Sequence, residues 1–184
     1  CFPNAKVNIG LKITSKRRDG YHNIDSYFLP IPLFDVLELI PDSSLKKNKV
    51  TYSGFSIPNN SENLIIRAYN ILSNDFKLPA LKIHLHKNIP CGAGLGGGSS
   101  NAVFMLKALN LIFNLNISKK NFLKYCIIIG SDCPFFMFNT LSKVSGLGEK
   151  VKPLNNSPFR DYYIILIKSN IHCSTSTIFS KHKI

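Results

Sequence analysis

The chain has 184 residues, with 23 Lys and Arg against 10 Asp and Glu, for a formal charge of +13. Its 45% hydrophobic and 18% charged content suits a packed globule and excludes a disordered chain, while 11 Gly and 10 Pro exclude collagen-like and linker-like sequences. No uncharged apolar run approaches the roughly 18 residues needed to span a bilayer, so no membrane partner is expected.

In chain order, Ala5 to Thr14 reads as a first strand, because Ala5, Val7, Ile9, Leu11 and Ile13 alternate with mostly polar positions. Strict alternation would put Lys6, Asn8 and Lys12 together on the opposite face. Asp19-Gly20 closes a hairpin turn, and a second strand follows near Asn23 to Leu29. A third strand is predicted over Asp35 to Ile40, and a weaker edge strand over Val50 to Phe55. Leu64, Ile65, Ala68, Tyr69, Ile71 and Leu72 recur at helical spacing, which predicts a helix over Asn63 to Phe76. Leu81, Ile83 and Leu85 alternate with Lys82, His84 and His86 as a strand does.

A glycine-rich loop, Asn88 to Ser100, then feeds a helix carrying Ala102, Val103, Leu106, Leu109, Ile112 and Phe113. Ser118 caps a further helix that Gly130 ends. Val144 to Leu154 and Tyr162 to Lys168 read as strands, and Thr175 starts another helix. Strands and helices interleave without a strict βαβ repeat, which makes the fold class α+β.

The five cysteines form no CxxC pair and imply neither a zinc site nor a disulfide framework, so a reducing, cytoplasmic setting is expected and no metal ligands are assigned. The basic residues are mostly dispersed lysines. A nucleic-acid partner is therefore not expected, although a basic RNA-binding module remains the competing class.

The loop carries the strongest chemical signal. Gly92, Gly94, Gly96, Gly97 and Gly98 allow close approach of a ligand to the backbone. Ser99 and Ser100 would open the helix, whose N-terminal N–H groups attract an anion. Gly92-x-Gly94-x-x-Gly97 formally matches a dinucleotide fingerprint, yet no acidic residue occurs between Gly97 and Asp132. Gly97 is followed by Gly98-Ser99, not by the Gly-Lys-Ser/Thr of a Walker loop. Asp132, within Gly130-Ser-Asp-Cys-Pro-Phe-Phe136, stands out among small and apolar neighbours in an acid-poor chain.

Four segments occur in order: Pro3-Asn-Ala-Lys-Val-Asn8, Arg17-Arg18-Asp19-Gly20-Tyr21-His22, Pro90-x-Gly-x-Gly-Leu-Gly-Gly-Gly-Ser-Ser-Asn101-Ala102 and Gly130-x-Asp-x-Pro-Phe-Phe136. This series resembles the GHMP small-molecule kinases, and among them those acting on a cytidine-diphosphate-linked methylerythritol in the non-mevalonate isoprenoid route. Another member of that family, with a different alcohol substrate, is the alternative.

The resemblance implies an N-terminal lobe like the second domain of ribosomal protein S5 over residues 1–155, and the start of a truncated C-terminal lobe over 156–184. It implies ATP and Mg²⁺ as cofactors, with Asp132 and Lys6 as the catalytic pair. The nucleotide would be held by Pro90, Gly92, Ala93, Gly94, Leu95, Gly96, Gly97, Gly98, Ser99 and Ser100, with Asn63 and Lys87 beside them. Asn8, Tyr21, His22, Thr175 and Phe179 would bind the substrate, Tyr21 and Phe179 sandwiching its base. The family's later glycine-rich segment does not occur before Ile184.

Overall fold

The computed structural model describes residues 1–57, 63–159 and 161–168. The chain runs β1 (Asn4–Lys16), β2 (His22–Phe34), β3 (Val36–Pro41), β4 (Lys49–Gly54), α1 (Leu64–Asp75), β5 (Leu81–Lys87), α2 (Gly97–Ile112), α3 (Lys119–Ile129), α4 (Cys133–Phe138), β6 (Ser142–Gly146) and β7 (Lys150–Pro153). Two sheets result, a four-stranded one in the order β1-β2-β6-β7 and a three-stranded one in the order β3-β5-β4. The first is antiparallel throughout, whereas β4 lies parallel to β5. β2 and β3 are separated by Asp35 alone, so one extended run leaves the first sheet there and enters the second.

The α+β class holds, and several of its details differ from the sequence reading. Gly10, with φ +65°, sits in a β-bulge between Ile9 and Leu11 that breaks the alternation of β1. Beyond it Leu11 pairs with Ser26 and Lys12 with Asp25, so Lys12 leaves the face of Lys6 and Asn8, and Leu11 is 52% exposed. β2 continues through Pro30 and Pro32, because β6 pairs with it only over Ile24 to Phe28 and no ladder bond is needed from the prolines on that side. Cys133 to Phe138 is a short helix with Pro134 in its first turn, where the missing N–H costs nothing.

The region from Val144 to Leu154 is two strands, since Leu147 N–H turns back to Glu149 Oε2 (2.6 Å) and closes a hairpin. Tyr162 to Lys168 forms no ladder with the described residues, and Tyr163 and Ile167 are almost fully exposed. The helix expected from Thr175 lies outside the described residues.

The helices cover the sheets and bury one main core. Phe28 of β2, Leu37 of β3, Leu81, Ile83 and Leu85 of β5, and Met105, Leu106 and Leu109 of α2 meet Phe135 and Phe136 of α4 there. Phe28 and Phe136 each meet the ring of Phe135 edge-on, at 5.4 and 5.0 Å between centroids. Ala5, Ile31 and Ile89 form a smaller cluster against which Leu95 packs, fixing the glycine loop to the start of β1.

Candidate functional site

The loop between β5 and α2 walls a cleft of about 560 Å³, lined also by Ile57, Asn63, Leu64 and Leu85. Gly92, Gly94 and Gly96 all have positive φ, and Gly96 (φ +69°) is the N-cap of α2 without any side-chain cap. The first helical N–H groups, those of Gly97, Gly98 and Ser99, therefore stay available, and all three residues line the cleft. With the positive end of α2 behind them, they form a cradle suited to an anion.

α2 starts at Gly97, two residues earlier than expected. Ser99 lines the cleft, whereas Ser100 lies behind the wall, fully buried with its hydroxyl unpartnered. Pro90, Ala93 and Leu95 line the cleft as well.

Asn63 and Lys87 border the same cleft but are already engaged. Asn63 Oδ1 accepts from Ile65 N–H (3.0 Å) as the cap of α1, and its Nδ2 donates to the Tyr52 hydroxyl. The Lys87 ammonium is buried, ion-paired with Asp35 and donating to Asn101 Oδ1 at 3.1 Å. Asp35, fully buried, also accepts from the backbone N–H groups of Asn88 and Ile89, both at 2.8 Å, and from Asn101 Nδ2 at 2.9 Å. One carboxylate thus ties the corner between the sheets, the end of β5 and the first turns of α2 together. The sequence reading missed Asp35 and Asn101; its one available signal was an acid inside an apolar run.

Beside the loop stands the second part of the site. Lys6 N–H donates to Leu95 O (2.9 Å), which lays β1 along the loop. A Cβ on Gly96 would stand 3.0 Å from Lys6 Cγ and from Phe136 Cζ, so only glycine lets the loop approach this closely. The Lys6 ammonium lies 3.5 Å from Asp132 Oδ2, 2.5 Å from Asn8 Oδ1 and 4.6 Å from the centre of the Phe28 ring.

Asp132 occupies the N-cap of α4 yet makes no capping bond. Its side chain, 31% exposed, is left for Lys6 and for solvent. Cys133 Sγ contacts Ser99 O (3.8 Å), joining α4 to α2 from behind. Burial, with the nearby Asp132 carboxylate adding, pushes the Cys133 thiol up to about 12, so it is an inert packing group. Burial likewise lowers the pKa of Lys107, whose ammonium donates to Phe136 O (2.8 Å) in α4.

Lys6, Asn8 and Asp132 are therefore brought together, next to the cleft. Tyr21 and His22 are not: they lie where Lys16 pairs with His22, at the far end of the β1–β2 ladder from Lys6. Tyr21 is 66% exposed and so is not part of the core. Thr175 and Phe179 lie outside the described residues. Among the described residues no group of three or more His, Cys, Asp or Glu is placed to hold a metal ion. The half-buried carboxylate of Asp132, which makes no capping bond, is a ligand type that suits a magnesium ion.

An anion cradle at a helix start, flanked by a lysine–aspartate pair, is the arrangement of a phosphotransferase lobe. A family profile, "GHMP kinases N terminal domain", matches residues 63–140. The chain is 45% identical over 184 residues to 4-diphosphocytidyl-2-C-methyl-D-erythritol kinase of Bacteroides fragilis, covering 99% of this chain and 67% of that protein. It is 44% identical over 181 residues to the enzyme of the same name from Parabacteroides distasonis, with 98% and 65% covered. A crystal structure of 4-(cytidine 5'-diphospho)-2C-methyl-D-erythritol kinase superposes with a TM-score of 0.70 at 34% identity, covering 84% of this chain and 54% of that one.

The chain belongs to the GHMP kinases and, within them, to the 4-diphosphocytidyl-2-C-methyl-D-erythritol kinase family. It spans about two thirds of the length of these curated relatives and about half of the solved structure.

Proposed function

We propose that the protein to which this chain belongs transfers the γ-phosphoryl group of ATP to the C2 hydroxyl of 4-diphosphocytidyl-2-C-methyl-D-erythritol. The observation that carries this reading is the Lys6–Asp132 pair beside the glycine cleft. The relatives' names supply the substrate.

Phosphoryl transfer needs positioning and charge neutralisation more than covalent help. The N–H groups of Gly97, Gly98 and Ser99 hold the phosphate chain, and Ile57, Leu64 and Leu85 offer an apolar wall to the nucleoside. Asp132 takes the proton of the C2 hydroxyl as that oxygen bonds to the γ-phosphorus; the bond from phosphorus to the β,γ-bridging oxygen breaks and ADP leaves. The Lys6 ammonium neutralises charge on the transferring group. Asp132 and the phosphates would hold Mg²⁺, which supplies further neutralisation. Tyr21 and His22 face the cytosine.

We read residues 1–155 as the N-terminal lobe and 156–184 as the opening of the C-terminal lobe; the end of the last ladder at Pro153 supports this. No helix among the described residues is long and apolar enough to cross a membrane. The four described cysteines are free thiols, which supports a cytoplasmic setting.

The test is ATP turnover by the full-length protein with the cytidyl alcohol, beside a panel of sugar and mevalonate alcohols. Asp132→Asn should keep nucleotide affinity and lower kcat by about a hundredfold or more. Near-normal turnover of that variant would sink the assignment of Asp132. Turnover of only another alcohol would reassign the substrate.

A further inference from the structure

Behind the Lys6 ammonium, three polar groups form a chain whose direction can be worked out bond by bond. An ammonium only donates, so the end of the Asn8 amide lying 2.5 Å from Lys6 Nζ is its oxygen. Asn8 Nδ2 then faces the other way, 3.3 Å from Ser26 Oγ. An amide nitrogen also only donates, so the Ser26 hydroxyl is the acceptor there. Its single proton goes to Gly10 O, 2.5 Å away; the other carbonyl in reach, Tyr27 O, is at 3.5 Å.

The chain ends at a fixed point of the backbone. Gly10 is the bulged residue of β1 and has no partner in the β1–β2 register. The bulge leaves its carbonyl to the serine and not to the ladder. Ser26 is 3% exposed and lies between β1 and β6, paired with Leu11 on one side and Val144 on the other. The buried hydroxyl on β2 therefore does two things on β1: it satisfies the carbonyl of the bulge and it holds the amide of Asn8.

We propose that Ser26 is a positioning residue for phosphoryl transfer, holding the Lys6 ammonium toward Asp132 by fixing the Asn8 amide. This rests on the roles assigned above to Lys6 and Asp132. Without the hydroxyl, Asn8 Nδ2 loses its acceptor, and the Asn8 side chain is anchored only through its oxygen on the ammonium, so the two can shift together away from Asp132.

Two measurements on the full-length protein test this. In turnover, Ser26→Ala should lower kcat by about tenfold or more, the effect of one hydrogen bond in a charged network, with the KM for ATP almost unchanged. Ser26→Thr, which keeps the hydroxyl, should recover most of the loss. Asn8→Ala combined with Ser26→Ala should lose no more than Asn8→Ala alone.

The second measurement does not depend on turnover. Trace acetylation with acetic anhydride, read by mass spectrometry, gives the reactivity of Lys6 relative to exposed lysines in the same sample. Ser26→Ala should raise it several-fold, to the value of Asn8→Ala, and Ser26→Thr should not.

A Lys6 reactivity unchanged by Ser26→Ala overturns the proposal whether or not the protein turns over. So does a loss of kcat that Ser26→Thr fails to recover and that adds to Asn8→Ala, for that is a packing effect. A wild-type protein without kinase activity that still shows the labelling pattern refutes the proposed function and leaves the Lys6–Asn8–Ser26 coupling standing.

Discussion

Gly96→Ala and Gly98→Ala are the same chemical change two residues apart, and the structure assigns them opposite signs. At Gly96 the backbone is left-handed, with φ +69° and ψ 14°, which costs an L-residue about 1–2 kcal/mol. The added methyl would also stand 3.0 Å from Lys6 Cγ, 3.0 Å from Phe136 Cζ and 3.1 Å from Lys6 Cε. Phe136 is fully buried and cannot retreat, so the lysine stem must move. Overpacking of this kind adds about 1–3 kcal/mol, and the two effects together amount to roughly thirtyfold or more in the folding equilibrium.

Gly98 lies in the first turn of α2 outside the left-handed region, and its methyl would meet Leu64 Cδ1 at an ordinary 3.4 Å. There alanine should be neutral or gain about 0.5–1 kcal/mol from reduced chain entropy. Urea unfolding of the wild type and both variants under one set of conditions gives the two changes directly. Turnover of Gly96→Ala reports whether the displaced lysine has left Asp132. Equal destabilisation of the two variants, or a Gly96→Ala protein as stable as wild type, would refute the close approach of the loop to Lys6.

Asp35→Asn leaves the buried Lys87 ammonium without its counter-charge and should cost about 3–5 kcal/mol in urea unfolding; adding Lys87→Met should recover part of it. A change below about 1 kcal/mol would mean that the pair does not hold the loop. Burial pushes the Cys126 and Cys133 thiols each up to about 12. An unfolded thiol ionises at about 8.5, so as pH rises the unfolded state loses these protons first, and stability present in full below about pH 8 is lost between about pH 8.5 and pH 12. Urea midpoints across that range should fall less steeply for Cys126→Ala/Cys133→Ala than for wild type; parallel slopes would refute the burial argument.

What could be read from the sequence was local and glycine-marked. The loop, the helix after it and the hairpin at Asp19-Gly20 declare themselves through residues that permit few other conformations. Asp132 stood out because acids are scarce, and its place at the start of a helix without capping it explains why it is free to face Lys6.

Burial was harder to foresee. Lys6 looks like a solvated lysine in an alternating strand, yet the glycine loop at Leu95 and Gly96 and the ring of Phe28 make its face an interior one. Asp35 accepts from groups 52 to 66 positions away, and no short-range pattern encodes such a meeting. Tyr162 to Lys168 has strand composition, but composition does not supply a neighbouring edge.

The order of the segments along the chain has a consequence for how the site comes into being during synthesis. The cleft is complete in outline once Asn101 has met Asp35, because every residue lining it lies between Ile57 and Asn101. Lys6 must wait longer: Asp132 comes after the rest of α2 and the whole of α3, and the far end of α4 is tied back to β1 by Asn139 donating to Asn4 across 135 positions, at 2.8 Å. A growing chain would acquire a place for the nucleotide before it acquires the means to use it.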